Sequence, residues 1–105
     1  MKKKSKKLAR LERNRISILT DDMEYCYLHK KYGMYAKAVH KHEIYFGRNR
    51  QLSMRYGCVV PLCNECHNKV RNNIVIDTKL KQECQVKFCE VYDEDFIEVF
   101  RRTYL

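Results

Sequence analysis

Long apolar runs are missing from this chain: no stretch of about 18 apolar residues occurs, which excludes a membrane-spanning helix read from hydropathy. The basic N-terminus runs into a charged, amphipathic segment rather than the apolar core of a signal peptide, so a cytoplasmic location and no membrane partner are expected. Internal repeats are absent, as are low-complexity segments beyond the lysine-rich start, so a solenoid or repeat array is not expected. Acidic residues are in the minority. The 13 Asp and Glu stand against 22 Lys and Arg, giving a formal charge of +9. With a pI of about 9.3 the molecule should be drawn to polyanions, and nucleic acid is the expected partner. No small-molecule organic cofactor is expected.

What is present is sulfur and imidazole at ligand spacing. At 105 residues the chain makes one domain with a modest core, a size that commonly needs a staple. Six cysteines in a reducing compartment are better read as metal ligands and small buried groups than as disulfides. Cys26 and His29 form one pair with two residues between partners, and Cys63 and Cys66 form another. Such spacing lets each pair turn two side chains toward one tetrahedral ion, so a structural zinc held by Cys26, His29, Cys63 and Cys66 is expected. A closed four-ligand site leaves no open position for catalysis. His67 follows the last thiolate directly and, on a helix, would point about 100 degrees away from it, toward the segment that carries His40, His42 and Glu43. Cys84 and Cys89 have no close ligand-like neighbour and read as buried structural thiols.

The organisation is read as α+β in three parts. Residues 1–20 form a basic arm and helix, 21–75 a zinc-stapled core, and 76–105 C-terminal helices that pack on it. In the arm, Leu8, Leu11, Ile18, Leu19 and the stem of Arg15 recur at helical spacing, and Thr20 to Asp22 end the helix. Lys3, Lys4, Lys6, Lys7 and Arg10 read either as phosphate contacts or as a solvated tail. Residues 37–46 alternate as a strand, with His40 and His42 on one face and Lys41 and Glu43 on the other. A basic loop at Gly47 to Gln51, a short helix at Ser53 to Tyr56, a break at Gly57, a strand from Cys58 to Leu62 and a helix from Cys66 to Val70 or Arg71 follow. Pro61 belongs at a sheet edge or strand end. Asp77 is expected to cap a helix with the stripe Leu80, Cys84 and Phe88, and Asp93 a final short helix with Phe96, Val99 and Phe100 on one face. The tyrosines Tyr25, Tyr27, Tyr32, Tyr35, Tyr45 and Tyr56 read as packing groups rather than base-stacking platforms.

Several blocks carry a resemblance that covers most of the chain: Leu11 to Arg15, Thr20 to Asp22, the knuckle at Cys26, His42-Glu43-Ile44-Tyr45-Phe46-Gly47 through Ser53, Val59-Val60-Pro61-Leu62-Cys63, Cys66-His67, and Phe96-Ile97 to the terminal Tyr104-Leu105. With these the chain resembles the HNH endonucleases of ββα-metal fold, in particular small nucleases of phages and prophages of Gram-positive bacteria. The resemblance implies a divalent-metal-dependent phosphodiesterase acting on DNA, with His42 and His67 holding a catalytic cation (Mg, Mn, Ni or Zn). It puts Glu43 at the usual position of the base, where the family commonly has histidine, so the catalytic set is His42, Glu43 and His67, with Glu43 or His40 assisting His42. Arg48, Arg50 and Arg55 are then backbone clamps, or else a solvated basic face. Two positions depart from the pattern: Cys58 stands near the family's central asparagine, and Arg71 stands where a second helix histidine is frequent. A site with two protein ligands retains waters, which suits Mg better than Zn, and Asn68 or Asn72 could lend an oxygen. The competing readings are a zinc-binding DNA-binding module on an HNH-like scaffold without catalysis, and a zinc-stabilised protein adaptor.

Overall fold

The computed structural model describes residues 5–105 and combines six α-helices with a small two-stranded sheet, an α+β arrangement. The first helix, α1 (Lys6–Arg13), starts where the Ser5 hydroxyl accepts the Leu8 N–H at 3.1 Å. It is shorter than the apolar spacing implies. The chain leaves the helix at Asn14, and the Ile18 N–H goes instead to the Gly57 carbonyl at 2.9 Å, so a long-range bond replaces the next helical turn. Arg15 contributes its guanidinium rather than an apolar stem: it pairs with Glu43 at 2.8 Å and with Glu12 at 3.3 Å.

After α2 (Tyr27–Lys31), strand β1 (His40–Glu43) pairs antiparallel with β2 (Val59–Leu62) in the register His40↔Leu62, Lys41↔Pro61, His42↔Val60 and Glu43↔Val59. The strand expected over 37–46 contracts to four residues, although its bonding reaches one residue further at each end, the Val39 N–H donating to the Leu62 carbonyl at 3.0 Å and the Ile44 N–H to the Cys58 carbonyl at 2.9 Å. Upstream, Lys37 bridges to Tyr25, and downstream the Tyr45 N–H turns to the Ser53 hydroxyl at 3.1 Å. A 3-10 turn (Gly47–Asn49) leads into α3 (Arg50–Tyr56), which begins three residues earlier than its composition suggests. Its first residue, Arg50, is held by Glu12 at 2.8 Å and Glu43 at 3.2 Å, so tertiary ion pairs support a turn that local propensity leaves open.

Helix α4 (Asn64–Asn72) follows β2 after one residue, Cys63, and α5 (Ile74–Val91) follows α4 after one residue, Asn73. Asn73 caps α5, accepting the Val75 and Ile76 N–H groups at 3.0 and 3.3 Å. Asp77, expected as that cap, lies instead in the first turn and pairs with Lys81 at 2.9 Å. The last helix, α6 (Phe96–Phe100), is capped by Asp95 rather than Asp93, its side chain accepting the Ile97 N–H at 2.9 Å.

The core joins β2, α4 and the Leu80, Cys84 and Phe88 stripe of α5 to an aromatic group of Tyr45, Phe88, Phe96, Phe100 and Tyr104. Polar atoms inside it are satisfied: the Tyr45 hydroxyl donates to the Lys81 carbonyl at 2.6 Å, and the buried Gln85 donates to Thr103 at 2.9 Å and accepts from the Tyr104 N–H at 2.8 Å. Cys84 is buried as expected, but Cys89 is exposed, because it directly follows Phe88 and falls outside the apolar stripe. Tyr45 and Tyr56 are packing groups, whereas Tyr32 and Tyr35 are exposed. No helix of the described residues is long and apolar enough to cross a membrane.

Gly57 links α3 to β2 at φ 73°, and a Cβ there would meet Ile18 Cγ2 at 3.0 Å. Gly57→Ala should therefore cost about 1–2 kcal/mol from the left-handed backbone alone, lowering the thermal midpoint by several degrees. An unchanged melting curve would mean that this turn is not under the constraint the packing implies.

Candidate metal centres and basic groove

Two helix starts build the sulfur-rich cluster. Cys26 stands at the N-terminus of α2, one turn before His29, and Cys63 stands at the N-terminus of α4, where its sulfur accepts the Cys66 N–H at 3.4 Å. His29 Nδ1 lies 3.4 Å from Cys63 Sγ and 3.3 Å from Cys66 Sγ. The ligand atoms of Cys26, His29, Cys63 and Cys66 all lie within 4.8 Å of one another, so the four residues form a group able to hold a metal ion. All six thiols are free. Burial pushes the Cys26 thiol up, but hydrogen bonds from the Cys63 and His29 backbone, and from the His29 and Cys66 side chains, outweigh it and bring the thiol down to about 6. Cys66 moves the other way, to about 12, through burial and then its hydrogen bonds with Cys26 and Cys63. Crowded sulfurs that cannot all ionise side by side are what a bound cation relieves. The donor set fits a soft tetrahedral ion.

Cys63 and Cys66 stand at the start of α4, and His67 follows them on the same helix. Its imidazole stacks on His40 at 4.1 Å between ring centroids and meets His42 edge-on at 5.4 Å. His40 is held in turn by its Nε2, 2.8 Å from Asn64 Oδ1. His42 points inward from β1, is 7% exposed, and its Nε2 is buried with no hydrogen-bond partner. His42 and His67, but not His40, border a cavity of about 390 Å³ lined also by Glu43, Phe46, Val70, Arg71 and Asp77. Burial, then the neighbouring His67, holds His42 down to about 4, with Asp77 opposing and Lys81 and Arg71 adding to the shift. His67 is lowered as well, by burial first and then by His40 and Arg71, with Glu43 opposing. Both rings are therefore neutral near pH 7 and able to act as ligands or bases.

Other expected members of this site stand differently. Glu43 reaches the cavity, but one of its oxygens, Oε1, is taken up by Arg15 at 2.8 Å and Arg50 at 3.2 Å. Neither Asn68 nor Asn72 lines the cavity; the Asn72 amide donates to the Asn68 carbonyl at 2.9 Å. Cys58 is buried in the core beside Cys84, with that neighbour and burial pushing its thiol up. Asp77 is the residue that sequence reasoning placed elsewhere. Read as a helix cap, it carries no local signal of the cavity, because only the packing of α5 beside α4 brings it there.

A second depression, of about 750 Å³, runs between α1 and α3 and is lined by Lys7, Leu8, Leu11, Arg48, Arg50, Gln51, Leu52 and Arg55. Lys6, Lys7, Arg10, Arg48 and Arg55 are exposed. Arg50 is not a free clamp, since Glu12 and Glu43 engage its guanidinium. Lys3 and Lys4 lie outside the described residues. Compared with protein-family models, curated proteins and solved structures, the chain has no match.

Proposed function

We propose that the protein is a cytoplasmic, metal-dependent endonuclease of the HNH type that hydrolyses phosphodiester bonds of DNA, with a structural zinc at Cys26, His29, Cys63 and Cys66 and a divalent cation at His42 and His67. One observation carries the reading. A buried imidazole with an unpartnered nitrogen, His42, meets the ring of His67 at the edge of a shared cavity, and His67 directly follows a member of the Cys/His cluster on the same helix. The ββα core of that family would correspond to β1, β2 and α4.

A divalent cation bound there would neutralise the scissile phosphate and stabilise the leaving oxygen. His42 presents a buried, unpartnered Nε2 that would serve as a ligand atom in its Nδ1–H tautomer, and His67 is oriented by its stack on His40. Because Asn64 Oδ1 can only accept, a neutral His40 donates from Nε2 and has its lone pair at Nδ1, which fits a role assisting His42 in activating water. Glu43, whose Oε1 meets two guanidiniums, anchors β1 to α3 and to the segment that follows α1. Arg71, on the cavity wall, is positioned to meet a phosphate oxygen.

Supercoiled plasmid incubated with the zinc-loaded protein should be nicked when Mg²⁺, Mn²⁺ or Ni²⁺ is added and stay intact without it. Plasmid left intact under every condition contradicts the enzyme reading. It would favour the second one, a zinc-stapled DNA-binding module without catalysis, which draws support from the engaged Glu43 and from Arg71 in the cavity.

Either reading uses the groove between α1 and α3 as the path of the phosphate backbone. Replacing Arg48 and Arg55 together by alanine should weaken binding to DNA of any sequence and reduce the slope of log K against log salt by about 2, roughly one for each phosphate no longer neutralised. A slope equal to wild type, measured by fluorescence anisotropy across a salt series, would remove these two residues from the interface.

A further inference from the structure

The cavity that His42 and His67 border is also lined by an anion, Asp77, that the function above does not use. Asp77 sits in the first turn of α5 with Oδ2 bonded to Lys81 Nζ at 2.9 Å, while its Oδ1 is buried without a hydrogen-bond partner. His42 Nε2, facing the same cavity, is the other buried lone pair left without a partner there. The two atoms do not bond each other: with His42 carrying its proton at Nδ1 both are acceptors, and a buried acceptor left unmatched costs about 1–3 kcal/mol. A hydrated cation satisfies both at once.

Charge points the same way. The remaining cavity residues supply Arg71 as a cation, and Lys81 stands just behind Asp77. Glu43 is compensated by Arg15 and Arg50. Two neutral imidazoles surrounded by basic groups would repel a divalent ion, and Asp77 Oδ1 supplies this wall with a carboxylate oxygen that no cation among the described residues holds.

We propose that Asp77 is the anionic member of the His42 and His67 cation site, a positioning residue that holds the ion through its hydration shell; this rests on the reading of the cavity given above. The outer-sphere role follows from distance. Among the described residues, the three or more ligand atoms that lie within 4.8 Å of one another belong to the Cys26 cluster alone, so Asp77 does not share an inner sphere with both histidines. A hard cation that keeps several waters, such as Mg²⁺ or Mn²⁺, matches that arrangement better than a second Zn²⁺.

The test is titration of the zinc-loaded protein with Mn²⁺, followed by electron paramagnetic resonance of the free ion, for wild type, Asp77→Asn, His67→Ala and Lys81→Met. Asp77→Asn should weaken Mn²⁺ binding by about 10–100-fold, the range usual for partners beyond the direct ligands, with zinc content unchanged. Lys81→Met probes the same charge without altering Asp77. Removing the ammonium that competes for the carboxylate should tighten Mn²⁺ binding. If His67→Ala weakens binding while Asp77→Asn and Lys81→Met match wild type, the assignment of Asp77 is overturned and the cation site stands. If His67→Ala also matches wild type, the cation site itself is overturned, and Asp77 with it.

Discussion

Cys66→Ser is expected to leave the purified chain without zinc and to lower its thermal midpoint by at least about 15 °C. That is the shift corresponding to a loss of roughly 3 kcal/mol in a domain of this size. The reason is where the cluster sits. Cys26 and Cys66 are both buried in the hydrophobic core, joined to Val60, Leu62 and Val70, while His29 and Cys63 are half-buried, so an ion held by the four would tie α2 to α4 at the edge of that core. Binding of structural zinc is worth about 10–16 kcal/mol in small zinc-dependent folds, comparable with the whole net stability of about 5–15 kcal/mol typical of a domain. A serine hydroxyl does not ionise near neutral pH and replaces a soft thiolate with a hard, poor ligand. The aromatic group around Phe88, Phe96 and Phe100 is built without the cluster, so part of the helical signal should survive while tertiary structure near α2 is lost. The check is zinc stoichiometry by elemental analysis beside a melting curve. Wild-type zinc content or an unchanged midpoint would show that these four residues do not act as one centre.

His67→Ala should separate chemistry from folding. It leaves the four cluster ligands in place, so zinc content should match wild type and the melting midpoint should fall by a few degrees at most. Metal-dependent nicking of plasmid should nevertheless drop at least about 1,000-fold, equivalent to roughly 4 kcal/mol of transition-state stabilisation. The size of the effect follows from having few protein groups on the ion: with His42 as the other direct ligand, loss of His67 removes half of the fixed coordination. Binding to DNA should persist, because the groove between α1 and α3 does not contain this residue. Nicking at the wild-type rate would exclude His67 from the reaction, whatever the cluster does.

The residues that bind close in sequence were the legible ones. Two ligand pairs at fixed spacing implied a cluster whose four atoms do come together, since each pair spans a single helical turn and needs little else to be right. Strand β2, helix α4 and the Leu80, Cys84 and Phe88 stripe were likewise set by local pattern. What escaped was decided by long-range bonds. The end of α1 depends on Ile18 reaching Gly57, and the early start of α3 on Arg50 meeting Glu12 and Glu43. Arg15, Glu43 and Arg50 show why composition misleads here: three charged residues that look like solvent groups or catalytic candidates instead hold one another and join α1 to the sheet. Asp77 and Asn73 illustrate the limit at a helix start. Both are good caps by type, and the chain uses the earlier one, which frees Asp77 to face the cavity.

The most direct test of the paired-centre account is diffraction from crystals grown with Mn²⁺, with anomalous maps collected at the zinc and manganese edges. The account predicts a zinc peak among Cys26, His29, Cys63 and Cys66 and a separate manganese peak within bonding distance of His42 and His67. A map with manganese absent from that cavity, and the two imidazoles turned to different surfaces, would contradict it.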